Sequence, residues 1–505
     1  MDWIDNFLNN ITMYRLVLYY LLVLLVLALI LACFGRLPFG PLALLFSAAF
    51  LLAVCWLANE LFAKVFAAHA NVESVYITAF ILALVLLPGK TPAAYAFPFW
   101  AAVLAMASKY ILAINKKHIF NPVAIALTLT GLFLGKAGSW WVGTPLMLPA
   151  VLLGGILIVR KIRRLDLVFS FLAASLITTL VFAVLQGADI LTVGKEALLY
   201  SCLWFFAFVM LTEPLTTPPT KNLQILYGGL VGILFAPQFH LGSLYFSPEY
   251  ALAAGNVFSY LVSPKSKLML TLKQTVNLGG GMYDFIFSAD RPLKFRAGQY
   301  LEWTLGHSPS DSRGNRRYFT VASSPLQKDI RLGVKFYEPA SSFKRALLAL
   351  QPGQTITAGQ LAGDFVLPKD ANEPCVLIAG GIGITPFRSM LEYLLDRRQK
   401  RPLTIIFANR TAEEIVYRDI LDRAQKELGA KIFYTLTDSS RLPAGWTGQT
   451  GYVDAAMVKH LVPDYSRSRF YISGPNRMVK TAEKVLRELR LPESRIVTDF
   501  FPGFA

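Results

Sequence analysis

The chain has 505 residues, enough for two to four domains, and 54% of them are apolar, more than an ordinary soluble protein carries. The formal net charge is +17, yet no soluble stretch pairs a basic cluster with stacking aromatics, which argues against a nucleic-acid partner. Four scattered cysteines (Cys33, Cys55, Cys202, Cys375) form no CxxC pair, so neither structural zinc, nor a cysteine-ligated iron–sulfur cluster, nor a disulfide framework is expected.

The apolar excess lies before residue 262, in runs such as Leu16–Phe34. The composition therefore predicts a membrane half, 1–262, and a soluble half divided into 263–370 and 371–505. Spans are expected near 16–34, 41–57, 74–87, 94–112, 122–134, 147–159, 167–185, 197–211, 223–235 and 250–262. Several fall short of the roughly 20 residues a plain span needs, and would tilt, bend or stop partway. No small-residue cleavage site follows the first run, so it reads as an anchor. With loops assigned alternately, one side holds Lys64, Lys109, Lys116, Lys117, Arg160, Lys161, Arg163, Arg164 and Lys221; the other holds Arg36, Lys90, Lys136 and Lys195. The richer side is cytoplasmic, which places both termini inside a multi-pass protein of the inner (plasma) membrane.

The membrane half repeats itself. Apolar segments end in LLPGKTP (86–92) and LTEPLTTP (211–218), and a polar break follows in each half, FNPVAIAL (120–127) and GNVFSYL (255–261). Paired broken segments in inverted repeats point to a buried site between them. Glu213 lies in the second break, where an acid needs a cavity or a partner, and Lys90 in the first is its candidate counterpart. Plain proline punctuation of loops would give the same pattern.

Three pieces, SVYITAFILALVLLPG (74–89), KHIFNP (117–122) and TEPLTTP (212–218), carry a resemblance over about residues 10–262. They resemble the flavin-carrying membrane proteins of two related assemblies, the sodium-pumping NADH:quinone oxidoreductase and the Rnf complex. That resemblance implies ten helices in two inverted repeats that hold flavins, one an FMN joined through a phosphoester to a threonine in an external loop. The corresponding loop here is GSWWVGTPLML (138–148): Thr144-Pro145-Leu146 matches the end of the motif, whereas Trp141, Val142 and Gly143 depart from its start. Thr144 is thus the candidate attachment point for FMN, and a noncovalent FMN or riboflavin is the alternative. A Trp-rich interfacial belt with a Thr-Pro helix start would also account for the loop.

From residue 266 the pattern changes. LMLTLKQTV, YDFIFSA, QYLEWTL, YFTVASS, IRLGVKFY and TITAGQLAGDFVL alternate as strands, with a helix only near 342–350, and predict a small antiparallel β-barrel. After Asn372, VLIAG, FRSMLEYLLDRR, LTIIFAN, AEEIVYRDILDRAQKEL and KIFYTLT alternate strand with helix, which predicts a parallel α/β domain. At its start, IAGGIGITPFR (378–388) places Gly380, Gly381 and Gly383 in a turn, with Thr385 and Pro386 as helix cap and first turn. A strand, a glycine turn and a helix start together suit a pyrophosphate.

Residues 266–505 resemble the ferredoxin–NADP reductase superfamily, a flavin and nicotinamide module. RRYFTVASSP (316–325) matches its flavin signature. The resemblance implies that Arg317 holds the FAD phosphate, that Phe319 and Thr320 border the isoalloxazine with Thr320 near N5, and that Tyr318 contacts the flavin or its ribityl chain. In VKFYEPASSFKRAL (334–347), Ser341 and Ser342 would bind pyrophosphate, although Pro339-Ala340 stands where relatives carry glycines. FRAGQYLEW (295–303) reads as structural. The nicotinamide dinucleotide, NADH or NADPH, would lie on Gly380, Gly381, Gly383, Thr385 and Pro386, with Arg410 of FANRTAEEI (407–415) toward the adenosine. YISGPNRMV (471–479) matches the last turn with Gly474 and Pro475, but Ser473 replaces the usual cysteine beside the nicotinamide. The aromatics of DFFPGFA (499–505) could stack on the flavin or merely close the surface. Membrane relatives that reduce haem pair histidines within helices; His69, His118 and His240 read as loop residues, so haem is not expected.

The expected function is a membrane-bound NAD(P)H-dependent flavoprotein oxidoreductase. Electrons would pass from cytoplasmic NAD(P)H through FAD to a membrane flavin, and on to a quinone or an acceptor outside. Alternatives are a component of a redox-driven ion pump with further redox partners, and a membrane-anchored reductase of a soluble acceptor.

Overall fold

The computed structural model describes residues 4, 7–8, 11–66, 72–114, 117–242, 244–263, 267–311 and 313–499. Of the expectations above, His69, Lys116 and the aromatics after Asp499 lie outside these residues. The chain divides into two compact units, Met1–Ser266 and Lys267–Ala505.

The first unit is helical: α1 Met13–Cys33, α2 Pro41–Val65, α3 Val72–Val85, α4 Ala96–Ile111, α5 Pro122–Leu134, α6 Leu148–Ile162, α7 Leu165–Leu185, α8 Ile190–Leu199, α9 Leu203–Met210, α10 Lys221–Phe235 and α11 Pro248–Val262. Local chemistry sets several starts. Thr12 and Ser247 accept backbone N–H groups as caps, and the Asn121 side chain accepts from both Val123 and Ala124 at 3.1 Å. Helix occupies each of the ten stretches expected to span. Among the described residues, three helices, α1, α2 and α7, are long and apolar enough to cross a membrane, or four if α8 and α9, bent by 54°, form one broken span. The remaining helices are shorter: α4, with 16 residues, rises about 24 Å, against a hydrocarbon core of about 30 Å. Helices α7 and α10 pack closely because Gly228 and Gly232 face the Leu167 and Phe171 carbonyls, where a Cβ would come within 2.6 and 2.5 Å.

A second correction concerns Glu213. Its carboxylate lies 3.6 Å from His118 and accepts from Thr216. Lys90 instead lines a cavity with Phe46, Phe50, Thr91 and Tyr95.

The second unit begins with six strands, β1 Leu268–Gly279, β2 Met282–Ala289, β3 Tyr300–Thr304, β4 Arg316–Thr320, β5 Asp329–Lys335 and β6 Thr355–Ala362. They form one antiparallel sheet in the order β4-β3-β6-β1-β2-β5. Just past β4, the Ala322 N–H donates to the Arg331 carbonyl of β5 at 2.8 Å and draws the two edges together. Helix α12, Ser342–Leu348, plugs the barrel with Phe343 against Phe319.

A parallel sheet follows, in the order β10-β9-β8-β7-β11-β12: β7 Cys375–Gly380, β8 Leu403–Asn409, β9 Lys431–Leu436, β10 Gln449–Thr450, β11 Arg469–Ser473 and β12 Ile496–Thr498. Strand β7 is buried along its whole length, as a central strand covered on both faces must be. Helix α13, Thr385–Asp396, covers one face through Phe387 and Leu391. Helix α14, Asn476–Glu488, covers the other through Val479 and Leu486. The strand order reverses between β7 and β11, so their C-terminal ends form a topological switch point, where open α/β sheets bind ligands.

Barrel and parallel sheet are tied together. Arg388 of α13 donates to the Ala322 carbonyl at 2.6 Å, and Ser389 donates to the Ser323 carbonyl at 2.7 Å. Buried Asp284 of β2 accepts from Arg331 and from Tyr417 of the parallel-sheet domain. The stretch that follows β4 is thereby fixed against the helix that follows the glycine turn.

Candidate functional site

In β4, side chains alternate. Arg317 and Phe319 face Phe343: the guanidinium carbon lies 5.1 Å from that ring's centroid, and the Phe319 and Phe343 centroids are 6.1 Å apart. Tyr318 and Thr320 face the other way. The structure therefore separates Phe319 from Thr320: Phe319 belongs to the barrel core. The Tyr318 hydroxyl donates to Glu302 at 2.8 Å. Thr320 is buried and its hydroxyl has no hydrogen-bond partner among the described residues.

Arg317 is 1% exposed. Its Nη1 donates to the carbonyls of Arg313, Gly314 and Arg316 at 2.6–3.1 Å. Its Nη2 has no hydrogen-bond partner among the described residues and lies 3.8 Å from the Asp311 carboxylate. Burial pulls the guanidinium pKa down to about 10, against the pull of Asp311. The two serines are already engaged. Ser341 caps α12 by accepting from Lys344, and the Ser342 Oγ accepts from the Asp311 N–H and contacts His307 Nε2, both at 2.9 Å. The Ser342 N–H donates to the Asp311 carboxylate. Ser342 thus forms a clamp with Asp311. Burial works against that carboxylate, but the Ser342 and Arg313 N–H groups and the Arg313 guanidinium outweigh it and hold its pKa at about 2. Lys344 is pushed down to about 8 by burial, then by Arg317 and Arg313.

Sequence reading misses Asp311 and Lys344. Asp311 sits in a turn-rich loop with no periodic signal, and Lys344 reads as an ordinary helix residue. Two cations, Arg313 and Arg317, flank the Asp311 carboxylate, and Lys344 donates to the Lys335 carbonyl at 2.8 Å while its charge interacts with those of both arginines. An FAD pyrophosphate suits that excess of positive charge, and the Arg317 Nη2 and the Thr320 hydroxyl are donors without a hydrogen-bond partner among the described residues. The residues present fit FAD.

At the switch point, Gly380 ends β7, the turn Gly381–Ile384 follows, and Thr385 opens α13. Gly381 has φ +52°, and a Cβ on Gly383 would stand 2.3 Å from the Ser473 carbonyl. Both positions therefore require glycine. Thr385 proves to be the first helical residue rather than a cap: its hydroxyl donates to the Ile382 carbonyl at 3.1 Å, and Pro386 sits in the first turn. Gly474 and Pro475 form the opposite wall, with Met478 against Gly380. The structure thus brings Gly380, Gly381, Gly383, Thr385, Pro386, Ser473, Gly474 and Pro475 to one mouth. Ser473 donates to the Asp499 carboxylate at 2.9 Å, a pairing across the chain that no local motif announces. Arg410 is 72% exposed at its side chain and lies 3.7 Å from Asp438, which Arg441 also approaches. Among the described residues no cluster of His, Cys, Asp or Glu could hold a metal ion.

In the other unit, Thr144 follows the short turn Trp141–Gly143, and its buried hydroxyl has no partner among the described residues. The Trp141 indole donates to the Ala83 and Leu86 carbonyls and fixes that turn to the end of α3.

The chain is similar to several known proteins. A family described as the oxidoreductase NAD-binding domain matches residues 377–484. NADH-cytochrome b5 reductase 1 of Aspergillus terreus is 26% identical over 249 residues, 47% of this chain and 83% of that protein. A flavohemoprotein of Rhodopirellula baltica is 27% identical over 218 residues, 41% of this chain and 53% of that protein. Among solved structures, the flavohem-like FAD/NAD-binding domain of a Vibrio cholerae nitric oxide dioxygenase is 19% identical with a TM-score of 0.42, covering 46% of this chain and 98% of that one. The C-terminal half is a ferredoxin–NADP reductase-like FAD- and NAD-binding module, and the chain is an NAD(P)H-dependent flavoprotein oxidoreductase.

Proposed function

We propose that the chain carries reducing equivalents from cytoplasmic NAD(P)H through FAD into its membrane half, and from there to a quinone or to an acceptor beyond the bilayer. FAD, when bound, supplies the conversion between hydride and single-electron chemistry. The protein's own residues bind and orient. Arg317, Arg313 and Lys344 hold the diphosphate by charge, and Thr320 offers a hydroxyl hydrogen bond beside the flavin ring. The Ser473–Asp499 pair lines the nicotinamide mouth, and the glycine turn admits the dinucleotide backbone. The observation that carries the membrane part is the buried Thr144 hydroxyl, without a partner among the described residues, in a loop whose Thr-Pro-Leu resembles a flavin-attachment motif. The relatives named as NADH-cytochrome b5 reductases favour delivery to a one-electron acceptor.

Flavin analysis of detergent-purified full-length chain tests this reading. It predicts more than one flavin per chain: FAD released on denaturation, and FMN retained on the Thr144 peptide as a fluorescent band that Thr144→Val abolishes. A single FAD per chain, fully extracted, would instead leave an anchored reductase of a soluble acceptor.

A further inference from the structure

Asn409 ends β8 and is 3% exposed, yet neither its amide nitrogen nor its amide oxygen has a hydrogen-bond partner among the described residues. Its backbone carbonyl accepts from the N–H and the hydroxyl of Thr437. A buried amide with both ends unpaired is destabilising, so its retention needs a reason. Its position supplies one. Ala408 pairs with Gly380, which places Asn409 one residue further on, beside the start of the glycine turn. Ile405 and Phe407 of β8 pack in one cluster with Ile384 and Phe387, and by strand alternation Asn409 continues that face toward the turn. The C-terminal end of a strand next to the switch point is where a ligand of this sheet lies.

We propose that Asn409 is a ligand of the nicotinamide dinucleotide, its NH2 donating to a pyrophosphate oxygen and its carbonyl oxygen accepting from the adjoining ribose hydroxyl. The proposal rests on the reading of this module as dinucleotide-binding. An amide is suited to the role: it offers donors to the anion and an acceptor to the sugar without adding charge beside the phosphates.

The test uses FAD-loaded, detergent-purified full-length protein carrying Asn409→Leu or Asn409→Ala, titrated with NAD+ and with ADP-ribose, which has the pyrophosphate and ribose but no nicotinamide. Both ligands bind about tenfold more weakly to both variants, with FAD content unchanged. The temperature of FAD release without nucleotide stays the same or rises in Asn409→Leu, because an unpaired polar group has been replaced by an apolar one of similar size. Unchanged affinities, or a loss confined to NAD+ with ADP-ribose unaffected, overturn the proposal. So does a fall in that temperature for Asn409→Leu, which would make the amide a structural group. If Asn409→Leu does not fold, the affinities of Asn409→Ala decide. Wild-type protein that binds neither ligand would sink the dinucleotide reading itself, a separate result.

Discussion

Arg317 carries most of the flavin argument, and its environment explains why. A guanidinium that is 1% exposed, with one nitrogen lacking a hydrogen bond among the described residues and Asp311 at 3.8 Å, holds charge against the cost of burial and can take a further anion. Arg317→Gln should weaken FAD binding by about tenfold to a hundredfold, the range of one or two charge-assisted hydrogen bonds. Flavin fluorescence on dilution measures this, and riboflavin, which lacks phosphate, should bind variant and wild type alike. Asp311 makes a prediction of a different kind. Its pKa is held at about 2 in the folded chain against 3.8 for the free group, so its contribution is full above pH 4 and disappears as pH falls through 2. Such a shift corresponds to about 2 kcal/mol in isolation, and solvent screening of this loop carboxylate reduces it to about 1 kcal/mol. Asp311→Asn should be destabilised by about that much at pH 7 and should lack this part of the acid transition, as followed by urea unfolding of the full chain between pH 2 and pH 5. Arg317 is exposed by sequence because its neighbours form a recognisable signature. Asp311 is hidden, because its meaning exists only once a loop folds onto Ser342, 31 residues away.

The elements around the nucleotide mouth are the most legible part of the chain. A short β-prone apolar run, three glycines and an amphipathic helix announce strand, turn and helix without tertiary information. The one misplacement there is small and physical. Sequence predicts Thr385 as a cap, but the 3-10 turn Gly381–Ile384 begins the helical path earlier and leaves the threonine hydroxyl to bond backward to Ile382. The role of Ser341 and Ser342 is less legible, because a hydroxyl's partner depends on which loop arrives. Gly383 gives the sharpest element-scale prediction. A methyl group there meets the Ser473 carbonyl at 2.3 Å, and relief by displacing backbone costs about 1–3 kcal/mol. Gly383→Ala should retain FAD but lose most NAD(P)H-driven FAD reduction, measured by bleaching of the flavin absorbance after rapid mixing. Normal reduction would show that the turn is not the dinucleotide's seat.

On the scale of the molecule, composition alone divides an apolar half from a soluble one, because apolar runs of this length have no other stable environment. The number of crossings is not legible in the same way. Hydropathy marks where helices form, but broken pairs such as α8 and α9 depend on how carbonyls and small residues meet their neighbours. The central claim is that NAD(P)H electrons enter the membrane half and leave across the bilayer. The most direct measurement reconstitutes the full chain in vesicles that contain ferricyanide, which does not cross lipid, and adds NADH outside to the molecules whose soluble half faces outward. The account predicts that the trapped ferricyanide is reduced and that Thr144→Val slows this while leaving FAD content intact. Reduction of external ferricyanide alone, with the trapped pool untouched, would contradict it.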